Sequence, residues 1–163
     1  MKKISIYTLL LIPALMLVIS IGSCKKDYIN GGTKVQSLAG EWVVTTVGSD
    51  GSTSKPYFLS TYNTAANRPD SMWVDDGNNY YGLKARINCN TSNLTFGATN
   101  AAELYFGVQV TITLGKIMTK AATAPFSKDK TDSIYFKANF TGDPTTYTYS
   151  GYKRTGYDGD DPH

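Results

Sequence analysis

The clearest regularity in this chain is a two-residue alternation of apolar and polar positions. Between Thr131 and Thr141, Ile134, Phe136, Ala138 and Phe140 fall on one parity, while Ser133, Tyr135, Lys137 and Asn139 fall on the other. Val108, Val110, Ile112 and Leu114 alternate with Gln109, Thr111 and Thr113, and Leu83, Ala85, Ile87 and Cys89 alternate with Lys84, Arg86 and Asn88. Side chains of a strand project to opposite faces in turn, so each run predicts a strand with one buried face. Strands are also expected over 42–47, 71–74, 80–90, 94–96, 103–113, 116–120 and 145–155. Turn chemistry separates them, as at Ser49-Asp50-Gly51, Asp76-Gly77-Asn78-Asn79 and Thr141-Gly142-Asp143-Pro144. No segment has the period of a long amphipathic helix, and 121–125 reads as a loop. The expected fold is all-β, a single antiparallel meander of roughly eight strands, and closing it into a barrel removes its exposed edges.

The N-terminus follows another pattern. Lys2 and Lys3 precede an apolar run from Tyr7 to Ile21, which ends in Ile21-Gly22-Ser23-Cys24. A positive start, a short apolar stretch and small residues before a cysteine form a lipoprotein signal peptide. The run, about 15 residues, is shorter than the roughly 20 that span a bilayer as a helix. Residues 1–23 are therefore read as a removable leader and Cys24 as the site of diacylglycerol attachment. Residues 24–37, polar and containing Gly31-Gly32, are read as a flexible tether. The barrel is expected over 38–157 and an acidic tail over 158–163, so one domain accounts for the mature chain.

Charge and cysteine content narrow the function classes. The chain has 16 basic and 13 acidic residues. Loss of Lys2 and Lys3 leaves 14 against 13, which gives no case for a nucleic-acid partner. Acylation of Cys24 leaves Cys89 as the only other cysteine, so no internal disulfide is expected, and its strand position predicts a buried, inert thiol. The only histidine is His163, and no Gly-x-Ser-x-Gly elbow occurs. No catalytic residue, metal site or cofactor is assigned. Asp70, Asp75 and Asp76 could supply an acid and a base for glycoside hydrolysis, but aspartates beside Gly77 read more simply as turn residues. The cluster Asp158-Gly159-Asp160-Asp161 lacks a calcium-loop pattern and reads as a solvated tail. The 12 tyrosines suit a barrel mouth, since each joins an apolar ring to a hydrogen-bonding tip. Trp73, Tyr57, Tyr62 and Tyr81 are the candidate ligand contacts.

Gly40-Glu41-Trp42, at the start of the first strand, resembles the glycine-x-tryptophan signature of calycins. That resemblance implies a tryptophan closing the barrel base beneath a basic side chain of the last strand. Lys153 and Arg154 are the basic residues there, and Arg154 is the expected partner of Trp42 because its plane can stack. Ser23-Cys24-Lys25-Lys26-Asp27 is similar to Bacteroidetes lipoproteins. Leu38–Val44, Tyr62–Asn67, Asp70–Asp76 and Gly151–Tyr157 resemble the family called lipid-binding putative hydrolases. The family resemblance implies a calycin-like barrel and an apolar ligand, and brings no catalytic motif. Asp70-Ser71-Met72 and Asp132-Ser133-Ile134 resemble the O-glycosylation acceptor of the same phylum, with Ser71 and Ser133 as acceptors. The expected function is a lipoprotein of the bacterial envelope, anchored to the outer membrane and binding a small apolar or amphipathic ligand in or on the barrel. The periplasmic and cell-surface faces stay open, and no protein partner is identified. The alternatives are a carbohydrate-capture or assembly module and, third, a weak hydrolase. An interior filled by Ile112, Leu114, Phe136 and Phe140 would leave no room to store a ligand.

Overall fold

The computed structural model describes residues 31–163. The leader and Cys24 lie outside the described residues, as does half of the segment read as a tether. Eight antiparallel strands follow in order: β1 (Gly40–Gly48), β2 (Tyr57–Asn63), β3 (Ser71–Asp75), β4 (Lys84–Asn90), β5 (Thr95–Ala102), β6 (Gln109–Thr123), β7 (Lys130–Phe140) and β8 (Thr146–Lys153). Each pairs with its neighbours in sequence, and β8 pairs back onto β1, so the meander is a closed barrel. Residues 32–163 form one compact unit holding this sheet and its core, so the barrel is complete within them.

Strand boundaries depart from the expectations where alternation fails. Tyr57–Asn63 forms β2 although it carries aromatic or apolar side chains on both parities. Residues 80–83 belong to a loop before β4, and 103–108 to a loop before β6. The two runs expected over 103–113 and 116–120 join in one strand, β6, of 15 residues.

The junction in β6 is a bulge. Its ladder with β7 passes from Thr113↔Lys137 to Lys116↔Tyr135, so Leu114 and Gly115 together face Phe136. One extra residue shifts the parity, which returns Ile117 to the interior and leaves Lys116 outside. Leu114 is therefore not the interior residue that the alternation predicts. It takes a left-handed backbone (φ 56°) and is 65% exposed.

The interior is filled by side chains. Leu59, Met72, Val74, Ile87, Val110, Ile112, Ile134, Phe136, Phe140 and Tyr149 are all buried. Phe136 lies between Tyr149, stacked at 4.4 Å, and Phe96, edge-on at 5.7 Å, so an aromatic column crosses the core. Cys89, expected to be buried, is only half-buried near the end of β4. Burial still raises its thiol pKa, and its Sγ donates to the Pro69 carbonyl.

Trp42 closes one end, here called the base, and is fully buried. Its indole N–H donates to Thr61 Oγ1 at 2.9 Å, and that hydroxyl donates to the Leu38 carbonyl at 2.6 Å. The basic group over the indole is Lys153, with Nζ 5.8 Å from the ring, and not Arg154. Pairing explains the correction: Lys153 is opposite Trp42 and shares its parity, whereas Arg154 falls one residue later and faces outward. Arg154 instead lies over Phe58 at 4.9 Å and bridges Glu41 and Asp161.

Both flanks of the barrel within the described residues pack more closely than the sequence suggests. Val35 and Leu38, at the end of the expected tether and the start of the barrel, are fully buried around a short 3-10 turn, Gln36–Leu38. The acidic tail begins with another such turn, Asp158–Asp160. Asp160 is buried in it and accepts from the backbone N–H groups of Phe126 and Ser127 and from Thr155 Oγ1. Burial opposes its charge, but these donors hold its carboxyl down at about 2. The turn thus fastens the β6–β7 connection to the base.

The seam between β1 and β8 requires Gly151. A Cβ there would lie 2.1 Å from the Val43 carbonyl oxygen and 2.7 Å from Val44 Cα, both backbone atoms that cannot swing aside. Gly151→Ala is expected to lower unfolding stability in urea by about 3 kcal/mol. Ser150→Ala, at the exposed neighbour, is expected to change it by less than about 0.5 kcal/mol.

Candidate functional site

Opposite the base, the loops 49–56, 76–83, 103–108 and 141–145 surround the mouth of the barrel. Interior residues close to this end are tyrosines as well as aliphatics. Tyr57 and Thr46 share a hydroxyl–hydroxyl hydrogen bond of 2.6 Å, buried beneath the loops. Tyr149 is fully buried, and its hydroxyl has no hydrogen-bond partner among the described residues. Burial pushes its pKa well up, and the neighbouring Tyr57 and Asp76 add to the shift. An unpaired hydroxyl in such a place costs about 1–3 kcal/mol.

Loop 76–83 covers these groups. Asp76 is buried and accepts from the N–H groups of Asn78 (2.8 Å) and Gly82 (3.1 Å), so it shapes the loop from within. Burial raises its pKa despite those donors. The loop meets the barrel mainly through rings: Tyr80 stacks on Tyr57 at 6.0 Å, and Tyr81 stacks on Phe140 at 4.2 Å and leans on Tyr147 at 4.7 Å. Asp143, in the loop 141–145, accepts from Tyr147 Oη at 2.8 Å. The Thr145 N–H, then the Tyr81 and Tyr147 hydroxyls, hold its carboxyl at about 2. Beside Tyr81 a cleft of about 290 Å³ is lined by Phe106 and Val108. Phe106, Leu104 and Tyr80 are exposed on this rim. The mouth is thus apolar and aromatic, with carboxylates at its edge and neutral hydroxyls beneath.

The sequence candidates separate into two places. Tyr57 and Tyr81 are at the mouth, one beneath the loop and one on it. Tyr62 and Trp73 sit opposite each other in the β2–β3 ladder and share the outer wall, where Arg86 is the next cross-strand neighbour of Trp73. Met72 and Val74 take the inward positions beside Trp73. The four side chains therefore do not form one site.

Asp75 organises the wall near Tyr62. It accepts from Tyr62 Oη (2.9 Å), Tyr105 Oη (2.7 Å) and the Gly77 N–H (3.0 Å), and pairs with Lys84 Nζ at 2.7 Å. Burial works against its charge, but Lys84, Tyr105 and Gly77 hold the carboxyl at about 2. Glu103 is buried beside it and accepts from the backbone N–H groups of Lys84, Tyr105 and Phe106, which fixes loop 103–108. Asp75 and Asp76 are both committed to holding loops. Among the described residues, no group of three or more metal-ligating side chains converges.

Ser71 is half-buried and lines a polar cleft with Asp70, Arg86 and Asn88. Ser133 Oγ is buried without a partner, so of the two serines Ser71 presents the more open surface. Tyr149, one of the tyrosines suited to a mouth, and Thr46 are not among the candidate contacts that the sequence singles out. Their shared interior parity in the β1–β8 ladder, where Thr46 pairs with Tyr149, was the signal that could have found them.

A family model described as lipid-binding putative hydrolase matches residues 27–158. The match covers most of the chain, which therefore belongs to that family. Comparison with curated proteins gives no match.

The Asp75 network sets an acid limb to stability. Its folded pKa is about 2, below the ordinary value of about 3.9. Its contribution is present above about pH 4 and is lost as the pH falls toward 2. Urea unfolding across that interval is expected to show a shallower acid loss in Asp75→Asn than in the unaltered protein. Parallel profiles would mean that the network carries no linkage.

Proposed function

We propose that this member of the lipid-binding putative hydrolase family is a lipid-anchored protein of the bacterial envelope that holds a small lipid-like ligand at its barrel mouth. The anchor is Cys24, on the strength of Ile21-Gly22-Ser23-Cys24 and the apolar run before it. An outer-membrane location fits that reading and the likeness of Ser23–Asp27 to Bacteroidetes lipoproteins.

The observation that carries the ligand reading is the unpaired Tyr149 hydroxyl beneath a loop held over the mouth mainly by ring stacking. Because core side chains fill the interior, the barrel is not an open container. A ligand would enter by displacing loop 76–83 and replacing Tyr81 against Phe140 and Tyr147. The loop's separate Asp76 anchoring lets it move as a body. The ligand's polar end would pair with Tyr149 and the Thr46–Tyr57 hydroxyls. Asp76 and Asp143 disfavour an anionic head, so a neutral hydroxyl or carbonyl group on an apolar body fits best. This is a binding function, and the mouth carboxylates serve it by holding loops and selecting charge.

Native mass spectrometry of residues 25–163, prepared without detergent and offered an envelope lipid extract, is expected to show an adduct lost on denaturation. Tyr149→Phe is expected to stabilise the free protein by about 1 kcal/mol while reducing the adduct. A stabilised variant with undiminished adduct would remove Tyr149 from the site, and no adduct with either protein would overturn the mouth reading. Separately, intact mass of the membrane-extracted protein is expected to show a diacylglyceryl mass on Cys24 that Cys24→Ser abolishes.

A further inference from the structure

The β6 bulge has a structural reason, since one added residue moves Ile117 inward and Lys116 outward. That reason does not account for leucine at its turning point. A left-handed backbone favours glycine or asparagine, and a leucine side chain there is strained. Leu114 takes this conformation (φ 56°) and still leaves its side chain 65% exposed, gaining little burial in return. Strain that displays an apolar group is a reason to look for what the group meets.

Leu114 borders a cleft of about 590 Å³ on the outer wall, with Phe96, Gly115, Met118, Tyr135 and Lys116 among its lining. The volume is within the range of small-molecule sites. Its floor exists because position 115 is glycine: a Cβ there would come 2.5 Å from the Phe96 ring and 2.3 Å from the Phe96 carbonyl oxygen. Phe96 is held in turn by Phe136 of the aromatic column, so the floor is rigid. No carboxylate lines the cleft. Lys116 makes no ion pair among the described residues. Lys137 faces outward two residues beyond Tyr135, the cross-strand partner of Lys116. An apolar slot with a cation in its lining, unpaired among the described residues, complements an acyl chain ending in an anion.

We propose that this wall cleft binds a long-chain fatty acid, its chain along Phe96, Leu114 and Met118 and its carboxylate at Lys116. The site is distinct from the mouth in position and charge, and it depends neither on the mouth reading nor on the Cys24 anchor. The mouth carries carboxylates and takes a neutral head, whereas the wall carries lysine and takes an acid. The bulge gives the site its shape: without the added residue, Lys116 would point inward and Leu114 would belong to the core.

The test uses residues 32–163, which contain the complete barrel, with 13C-labelled methyl groups on Leu and Met. Stearate carrying a nitroxide near its methyl end is expected to broaden Leu114 and Met118 and leave the core residue Met72 sharp. Lys116→Glu is expected to weaken stearate binding ~10-fold, about 1.4 kcal/mol, and to leave uncharged methyl stearate within about twofold. Tyr149→Phe is expected to leave stearate binding unchanged, which separates this site from the mouth. Broadening centred on loop 76–83, equal losses for acid and ester, or an absence of saturable binding would each overturn the proposal. So would concentration-dependent broadening of Leu114 without stearate, which would mark the cleft as a contact between two copies of the chain.

Discussion

Closure of β8 onto β1 is the constraint on which the rest of the structure depends. Seven residue pairs from Trp42↔Lys153 to Gly48↔Tyr147 make the seam, and the absence of a side chain at Gly151 lets the strands approach. In an open sheet, an edge strand could slip without consequence for the others. In a closed one, parity must agree all the way round, because a one-residue slip exchanges interior and exterior along a whole strand. Trp42 and Lys153 then share the interior base, and Glu41 and Arg154 share the outer wall as an ion pair. The β6 bulge is the same constraint met locally: a sequence with Ile112 and Ile117 both suited to the core needs one extra residue between them.

This explains what the sequence disclosed and what it concealed. β7 was legible because Ile134, Phe136, Ala138 and Phe140 keep one parity without interruption. The runs legible in the sequence number eight because β6 reads as two and β2, apolar or aromatic on both parities, as none. Leu114 was misleading because the alternation through Ile112 gives no local sign of a bulge. That sign lies three residues later, in the conflict between Lys116 and Ile117. Side-chain chemistry favours Arg154 over Lys153, but parity decides which one can reach Trp42. The acidic tail read as solvated because its partners, the backbone N–H groups of Phe126 and Ser127, lie more than thirty residues away. Backbone donors leave no trace in composition. The candidate tyrosines were recognised as a class, but their division between mouth and wall required the register.

The hydrolase half of the family description has a physical counterweight. Carboxylates that perform acid–base work must be free to exchange protons near the working pH. Asp75 and Asp143 are held at about 2 by several donors, which keeps them ionised and engaged. Asp76 is raised by burial, but its oxygens face the N–H groups of Asn78 and Gly82 in its own loop. Their arrangement shapes the rim, and the groups left to meet the proposed ligand there are rings and hydroxyls.

The aromatic column offers a reason for binding to be displaced from the barrel centre to its surfaces. Phe96 and Tyr149 each pack on Phe136 across the core, and removing any one would leave a cavity beside its neighbour in the column. Core truncations of that size cost about 3–5 kcal/mol, comparable to much of the stability of a small domain. A ligand that replaced the column would have to offset that loss before gaining any net affinity. A ligand at the proposed mouth site would displace only loop 76–83, whose Tyr80 and Tyr81 stack from outside the core, and one at the proposed wall site would displace no protein group. The column's two ends approach those surfaces, with Tyr149 beneath the mouth and Phe96 beneath the wall cleft. A filled barrel is therefore compatible with a lipid-binding family, because the ends of its core column lie beneath both proposed sites.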